Sequence, residues 1–102
     1  MASQRTIRLE ETTVADIDGW MVTVANIMAG EWTDHTGATM RGLTVEIGLY
    51  DEDRGLQGEP TVGAGAVLRI DGRVWRVDAV VAGGALPGGG VDNGYVSLTT
   101  VA

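Results

Sequence analysis

The chain of 102 residues contains no cysteine, so it can form neither a disulfide nor a cysteine-ligated metal site. Its seven basic residues are all arginines and stand against 14 acidic residues, which gives a net charge of −7. A negative field repels phosphate backbones, so we expect no binding to nucleic acid. The acidity indicates solubility, or attraction to a basic partner, including mimicry of DNA.

No segment of the sequence is suited to export or to a membrane. The N-terminal residues Met1–Arg5 lack the apolar run of a signal peptide. The longest uncharged stretch, Ala79–Val91, is interrupted by Pro87 and several glycines, whereas a membrane helix needs about 20 consecutive apolar residues. Together with the absence of cysteine, this predicts a cytoplasmic protein without membrane contact, or a virion protein if the sequence derives from a phage.

Residues that could carry out catalysis are scarce. Serine occurs only at Ser3 and Ser97, without a Gly-x-Ser-x-Gly motif, and His35 is the only imidazole. The acidic run 51–53 lacks the spaced ligands of a calcium loop, and one histidine makes no zinc site without carboxylates from elsewhere. The glycine-rich segments lack the Gly-Lys-Ser/Thr of a phosphate loop. We therefore expect a protein that is not an enzyme, with no cofactor and no metal.

What the sequence does contain is alternation with a period of two residues, the pattern of half-buried β-strands. In the segment Leu43–Leu49, every second residue is a branched apolar one, while Thr44 and Glu46 point the other way. Similar strand-like segments occur at 6–9, 20–28 and 95–101. No window shows apolar residues at helical spacing, so the pattern predicts an all-β protein.

The segment RIDGRVWRVDAV, residues 69–80, predicts a β-hairpin. Asp71 and Gly72 supply the positive φ angles that a two-residue type I′ turn needs. The cross-strand pairs would be Ile70/Arg73, Leu68/Trp75 and Ala66/Val77 on an apolar face, and Arg69/Val74 and Val67/Arg76 on a solvated face. Trp75 is therefore predicted to be a core residue, contributing about 2–3 kcal/mol by burial, rather than a binding tryptophan.

Three long loops separate the predicted strands, at 29–40, 51–65 and 82–94. Between them we count five to six strands. This predicts a single all-β domain over residues 1–102, folded as a small antiparallel barrel or sandwich with long glycine-rich loops. We favour the barrel because closure of the sheet removes exposed edges.

Three loop residues are candidates for contact with a partner. Trp32 lies in a polar loop, and tryptophan is enriched at the energetic centres of protein interfaces. His35 lies in the same loop, and Leu86 is an apolar residue within the glycine-rich loop. We expect partner binding at Trp32, His35 and Leu86. The alternative for Trp32 is that its ring folds back and caps an open end of the barrel.

The order of several short motifs resembles a known family. The motifs T-I-R-L, E-T-T, D-G-W-M-V-T-V, L-R-I-D-G-R-V-W-R-V-D and V-S-L-T-T-V follow one another as in small, uncharacterised all-β proteins of actinobacteria. The resemblance covers most of the chain except the three loops, and it implies a fold but no activity and no functional residue. The terminal hairpin also resembles the D-G-x-x-Y/W-x-V hairpin of small phage neck and tail proteins, which implies a virion role. The N-terminal half does not match that second pattern.

The sequence as a whole predicts a non-catalytic module for protein–protein interaction or assembly, whose partner is another protein or a second copy of the chain. The alternatives are a structural component of a phage or other particle, an acidic inhibitor that mimics DNA, and a carrier with a cavity inside the barrel. The carrier is disfavoured because branched side chains would fill so small an interior.

Overall fold

Residues 4–85 and 87–101 are described by a computed structural model, and they form β-strands joined by turns. The strands in chain order are β1 (Thr6–Glu10), β2 (Val14–Ile17), β3 (Trp20–Thr33), β4 (Thr39–Asp51), β5 (Gly55–Gly58), β6 (Thr61–Val62), β7 (Val67–Ile70), β8 (Arg73–Val81), β9 (Gly84–Ala85), β10 (Val91–Asp92) and β11 (Tyr95–Thr100). These residues include no helix with the length and apolar character that crossing a membrane requires.

The strands make two antiparallel sheets that pack as a sandwich. One sheet has four strands in the order β1-β11-β8-β7, and the other has five, in the order β2-β3-β4-β5 with β6 also paired to β4. A separate ribbon joins β9 and β10. The all-β prediction is confirmed, but the preference for a barrel is wrong, because no described strand of one sheet pairs with the other. The count of five to six is also too low, since short strands occur within the predicted loops.

The core lies between the inner faces of the two sheets. As predicted, every second side chain of a strand points into the core: Val45 and Ile47 of β4 are fully buried, whereas Glu46 between them is exposed. The side chains that lose all contact with solvent are Val22, Val45, Ile47, Ile70, Trp75, Val77, Val96 and Leu98. Since these come from both sheets, neither sheet can bury its apolar face without the other.

The hairpin β7–β8 has the predicted register. Asp71 and Gly72 form the turn with φ angles of 50° and 78°. The observed pairs are Val67/Arg76, Leu68/Trp75, Arg69/Val74 and Ile70/Arg73. Trp75 is fully buried, so its predicted place in the core is confirmed. The hairpin β2–β3 uses the same turn at Asp18 and Gly19, because Asp-Gly adopts two positive φ angles at low cost.

The predicted long loops contain regular structure. β3 and β4 continue through most of 29–40 and leave only residues 34–38 as the connection. Two short strands, β5 and β6, lie within 51–65, and the ribbon β9–β10 lies within 82–94. The prediction missed them because glycine and charged residues weaken strand propensity, whereas pairing with a neighbouring strand supplies the backbone hydrogen bonds regardless of side chain.

A bulge in β3 changes which side chains point outward. Ala25 pairs with Glu46 and Met28 with Thr44, so β3 contains one residue more than β4 between these two pairs. Asn26 takes the left-handed conformation, with φ of 54°, and its amide nitrogen donates to Glu46 Oε2 over 2.8 Å. Before the bulge, the odd-numbered residues of β3 lie on the same face as Met21. After the bulge, the even-numbered residues lie on that face.

Arg5 ties the two sheets together at one end of the sandwich. Its guanidinium carbon lies 5.4 Å from the centroid of the Trp75 ring, and its Nη1 lies 2.9 Å from Asp18 Oδ1 in the β2–β3 turn. The ion pair is partly exposed and contributes little by itself. The side chain nevertheless covers the indole and holds a turn of the opposite sheet.

Trp75 carries a polar atom that the core leaves without a partner. Its Nε1 is buried and has no hydrogen-bond partner among the described residues. Leaving a buried donor unpaired costs about 1–3 kcal/mol, and the large apolar ring compensates for that cost.

We therefore expect Trp75→Phe to change the free energy of unfolding by less than about 1.5 kcal/mol, because the lost ring volume is offset by removal of the unpaired donor. Trp75→Ala should cost about 3–5 kcal/mol. Urea unfolding followed by circular dichroism measures both. Equal losses in the two variants would contradict this account of the indole nitrogen.

Candidate functional site

Trp32 lies in a slot built from glycines. The ring is 9% exposed and its Nε1 donates to the carbonyl oxygen of Ala64 over 2.9 Å. A Cβ atom placed on Gly63 would come within 2.3 Å of the ring, and one on Gly42 within 3.3 Å. The indole ring therefore packs against the backbone of these glycines, where a side chain would collide with it or crowd it. This geometry matches the capping alternative for Trp32 in outline, although what it caps is the turn between β6 and β7 and not a barrel.

His35 meets the same turn as Trp32. Its backbone N–H donates to the carbonyl oxygen of Gly65 over 2.9 Å, and its Nδ1 lies 3.0 Å from that oxygen. The side chain is otherwise exposed. The structure thus brings Trp32 and His35 to the turn 63–66, while Leu86 lies outside the described residues.

Asp34 organises the connection between β3 and β4. Its Oδ1 accepts hydrogen bonds from the backbone N–H groups of Thr36 and Ala38 and from the Thr36 hydroxyl. The Thr36 hydroxyl bond, together with these N–H groups, holds the pKa of Asp34 below its ordinary value. The carboxylate therefore acts as a local cap that fixes the turn.

Five carboxylates gather at the end of the sandwich that carries Arg5. They line an open pocket of about 330 Å³ and belong to Asp18, Asp51, Glu52, Asp53 and Asp71. The backbone N–H of Asp53 and the Arg54 guanidinium hold the pKa of Asp51 below its ordinary value. Neither these carboxylates nor any other described His, Asp or Glu side chains form a group of three or more that could hold a metal ion. The acidic run 51–53 stands at the β4–β5 hairpin turn.

The outer face of the five-stranded sheet exposes large apolar side chains. Met21 lies directly opposite Tyr50, and Tyr50 lies opposite Leu56, so these three residues cross β3, β4 and β5 in one row. Val14 of β2 pairs with Thr23, which places it diagonally next to Met21. Val14, Met21 and Leu56 are 62%, 53% and 52% exposed.

Carboxylates surround this apolar row. Asp16 pairs with Met21 across β2 and β3, and Glu46 and Glu59 line a small groove beside it. The arginines of these strands point elsewhere: Arg41 lies on the other face of the β3–β4 ribbon, beside Glu31 at 2.8 Å, and Arg54 lies in the turn. We call this surface the acidic face, defined by Val14, Asp16, Met21, Glu46, Tyr50, Leu56 and Glu59.

The outer face of the four-stranded sheet carries three arginines together with two exposed carboxylates, those of Glu10, which lies opposite Tyr95, and Asp78. Val67 pairs with Arg76 and Arg69 pairs with Val74, so apolar and basic side chains alternate across β7 and β8. Arg8 of β1 stacks over the Tyr95 ring at 3.6 Å. We call this surface the arginine face, defined by Arg8, Val67, Arg69, Val74, Arg76, Val81 and Tyr95.

The sequence prediction overlooked the outward apolar residues. It identified the strand-like segment 20–28 but gave no role to Met21, whose side chain is exposed on the side of the strand opposite to the buried Val22 and Val24. The available signal was a strand that is apolar on both faces, since a half-buried strand normally alternates with polar residues. Met21, Met28 and Met40, the three described methionines, are all exposed, and all lie on the same face of the β3–β4 ribbon.

We expect Gly63→Ala to destabilise the protein by about 1–3 kcal/mol, because the added methyl group displaces the Trp32 ring. Gly58→Ala is the matched control, since its Cβ would meet nothing closer than 3.8 Å. Thermal unfolding and the wavelength of tryptophan emission check both. A Gly63→Ala protein as stable as the control would show that the slot can open freely.

The lowered pKa of Asp34 predicts a pH dependence of stability. Because the folded pKa lies below the unfolded one, the stabilising contribution is full above the unfolded pKa and is lost as pH falls through the folded pKa. Asp34→Asn keeps an acceptor oxygen but cannot titrate. We expect the difference in unfolding free energy between wild type and variant to shrink as pH is lowered from 7 through the acid range. An unchanging difference would exclude this role.

Comparisons with known proteins identify no relative of this chain. No family model, no curated protein and no solved structure matches it. The resemblances noted in the sequence stay predictions.

Proposed function

We propose that the protein is a non-catalytic interaction and assembly module that binds a protein partner through the acidic face. The observation that carries this proposal is the row of exposed apolar side chains across the outer surface of the five-stranded sheet. Val14, Met21 and Leu56 each keep more than half of their surface in water. Single exposed apolar residues are ordinary, whereas a contiguous patch on a folded domain is typical of an interaction site.

The register makes the patch contiguous. Directly opposed residues in neighbouring antiparallel strands have Cβ atoms about 4.5–5.5 Å apart. Met21, Tyr50 and Leu56 are opposed in this way, and Val14 extends the row to β2. Four strands at a spacing of about 4.8 Å give an apolar row about 14 Å across. A row of this width suits the centre of a protein interface.

The chemistry of the rim indicates the chemistry of the partner. Asp16, Glu46 and Glu59 border the apolar row, and no arginine of β2–β5 lies beside them on this face. A protein surface with an apolar centre and basic residues around it would complement this arrangement. Methionine at the centre favours adaptable packing, because its side chain is unbranched and flexible.

The proposal moves the contact site away from Trp32. The indole is held in its glycine slot and donates its N–H to Ala64, so it offers a partner little free surface. Its role here is to fix the β3–β4 ribbon on which Met21, Met28 and Met40 stand. Assembly into a particle is one setting in which such a module would work.

A photo-crosslinking amino acid at Met21, in the protein expressed in its source cell, tests the proposal. The same label at Thr36, an exposed turn residue away from the acidic face, is the control. We expect a discrete crosslinked product from Met21 only, whose partner peptide contains arginine or lysine next to apolar residues. Leu56→Asp in the labelled chain should lower the yield about tenfold, as expected if a central contact is lost. Equal products from both positions, or none from Met21, would contradict the proposal.

A further inference from the structure

We propose that the partner of the acidic face is the arginine face of a second copy of this chain, so that copies associate head to tail. This inference rests on the proposed function and names its partner. The two faces are the outer surfaces of the two sheets, so they point away from each other on one molecule. When the acidic face of one copy binds the arginine face of another, the resulting pair still has one free face of each kind. Further copies can therefore add until the assembly closes into a ring, or they continue as a filament.

The first argument is charge. The arginine face carries Arg8, Arg69 and Arg76, of which Arg76 is engaged with Asp78 at 2.9 Å. Arg69 is exposed and makes no ion pair with any described residue. The acidic face carries three carboxylates on its rim. Two acidic faces would repel each other, whereas on the arginine face the three arginines outnumber the carboxylates Glu10 and Asp78. The unlike combination is therefore the one that charge favours.

The second argument is the matching pattern of side chains. On the arginine face, Val67 and Val74 alternate with Arg69 and Arg76 across two strands. On the acidic face, two neighbouring cross-strand pairs of β2 and β3 form an equivalent group of four residues. Val14 and Met21 occupy two diagonal positions of this group, and Asp16 occupies a third. Exposed apolar groups therefore stand beside arginines on one surface and beside carboxylates on the other.

The net charge of −7 opposes association only weakly at physiological salt. Charges more than about 8 Å apart are largely screened there, whereas facing ion pairs within an interface are closer than that. Each face is defined by seven side chains, whereas a standard interface contains roughly 20–30 residues on each side. We therefore expect weak self-association, visible at high micromolar to millimolar concentration, and stronger when the protein is held at high local concentration.

Two variants that each block one face give a direct test. Arg69→Glu blocks the arginine face and Met21→Arg blocks the acidic face; both residues are exposed. Sedimentation velocity over a range of concentrations should show wild type associating beyond a dimer. Each variant alone should stay monomeric, with an association constant at least about tenfold lower, or 1.4 kcal/mol. In an equimolar mixture, the intact acidic face of Arg69→Glu can pair with the intact arginine face of Met21→Arg. The mixture should therefore form a dimer and nothing larger.

Matched controls separate the faces from the charge change. Arg73→Glu makes the same charge change at an exposed position outside the arginine face, and Thr39→Arg does so outside the acidic face. Both controls should associate like wild type. Circular dichroism confirms folding, and Val67→Glu with Leu56→Arg repeats the test if either first variant is unfolded.

Three results would overturn the inference: a wild type that stays monomeric at millimolar concentration, a mixture that stays monomeric, or controls that lose association as fully as the face variants. A monomeric wild type whose Met21 crosslinks to a different basic protein would refute the second copy as partner and leave the proposed function intact. Absence of both self-association and crosslinking would refute both.

Discussion

The burial of Trp75 between the two sheets is the interaction on which the rest of the structure depends. Its ring is fully enclosed, it faces Leu68 across the β7–β8 hairpin, and it pairs with Thr100 of β11 on the other side. Arg5 covers it at the end of the sandwich and reaches Asp18 in the opposite sheet. Because both sheets need the other to bury their apolar faces, the outer surfaces that we assign to binding exist only once this core has formed.

The bulge in β3 is the second constraint, because it decides what the outer surface displays. Asn26 adopts a left-handed conformation and bonds Glu46, while Glu11 accepts the N–H of Ile27 over 3.1 Å. One additional residue then shifts the alternation, so Met28 continues the face begun by Met21. A local backbone irregularity thus produces a long apolar surface from a strand that would otherwise have turned these side chains towards the opposite face.

Local chemistry made part of this fold predictable. The Asp71-Gly72 turn and the alternation around it fixed the register of β7–β8, since a two-residue type I′ turn permits one pairing and the apolar face must point inward. The place of Trp32 was not predictable in this way. Its slot is made by Gly42 and Gly63, which are distant in sequence, and glycine in a sequence indicates flexibility as readily as close packing. The acidic face was missed because outward apolar residues resemble core residues until register is known.

The sequence by itself determined the all-β class, the two Asp-Gly hairpins, the inward faces of the main strands and an excess of acidic over basic residues, because these follow from period, turn chemistry and composition. The tertiary structure decided that the sheets form a sandwich, that Trp32 packs on glycines, and that arginine-bearing and carboxylate-bearing surfaces lie on opposite sides of the molecule. The physical reason is that strand pairing between residues far apart in the chain sets these features, and pairing depends on which backbone edges meet rather than on any local pattern of side chains.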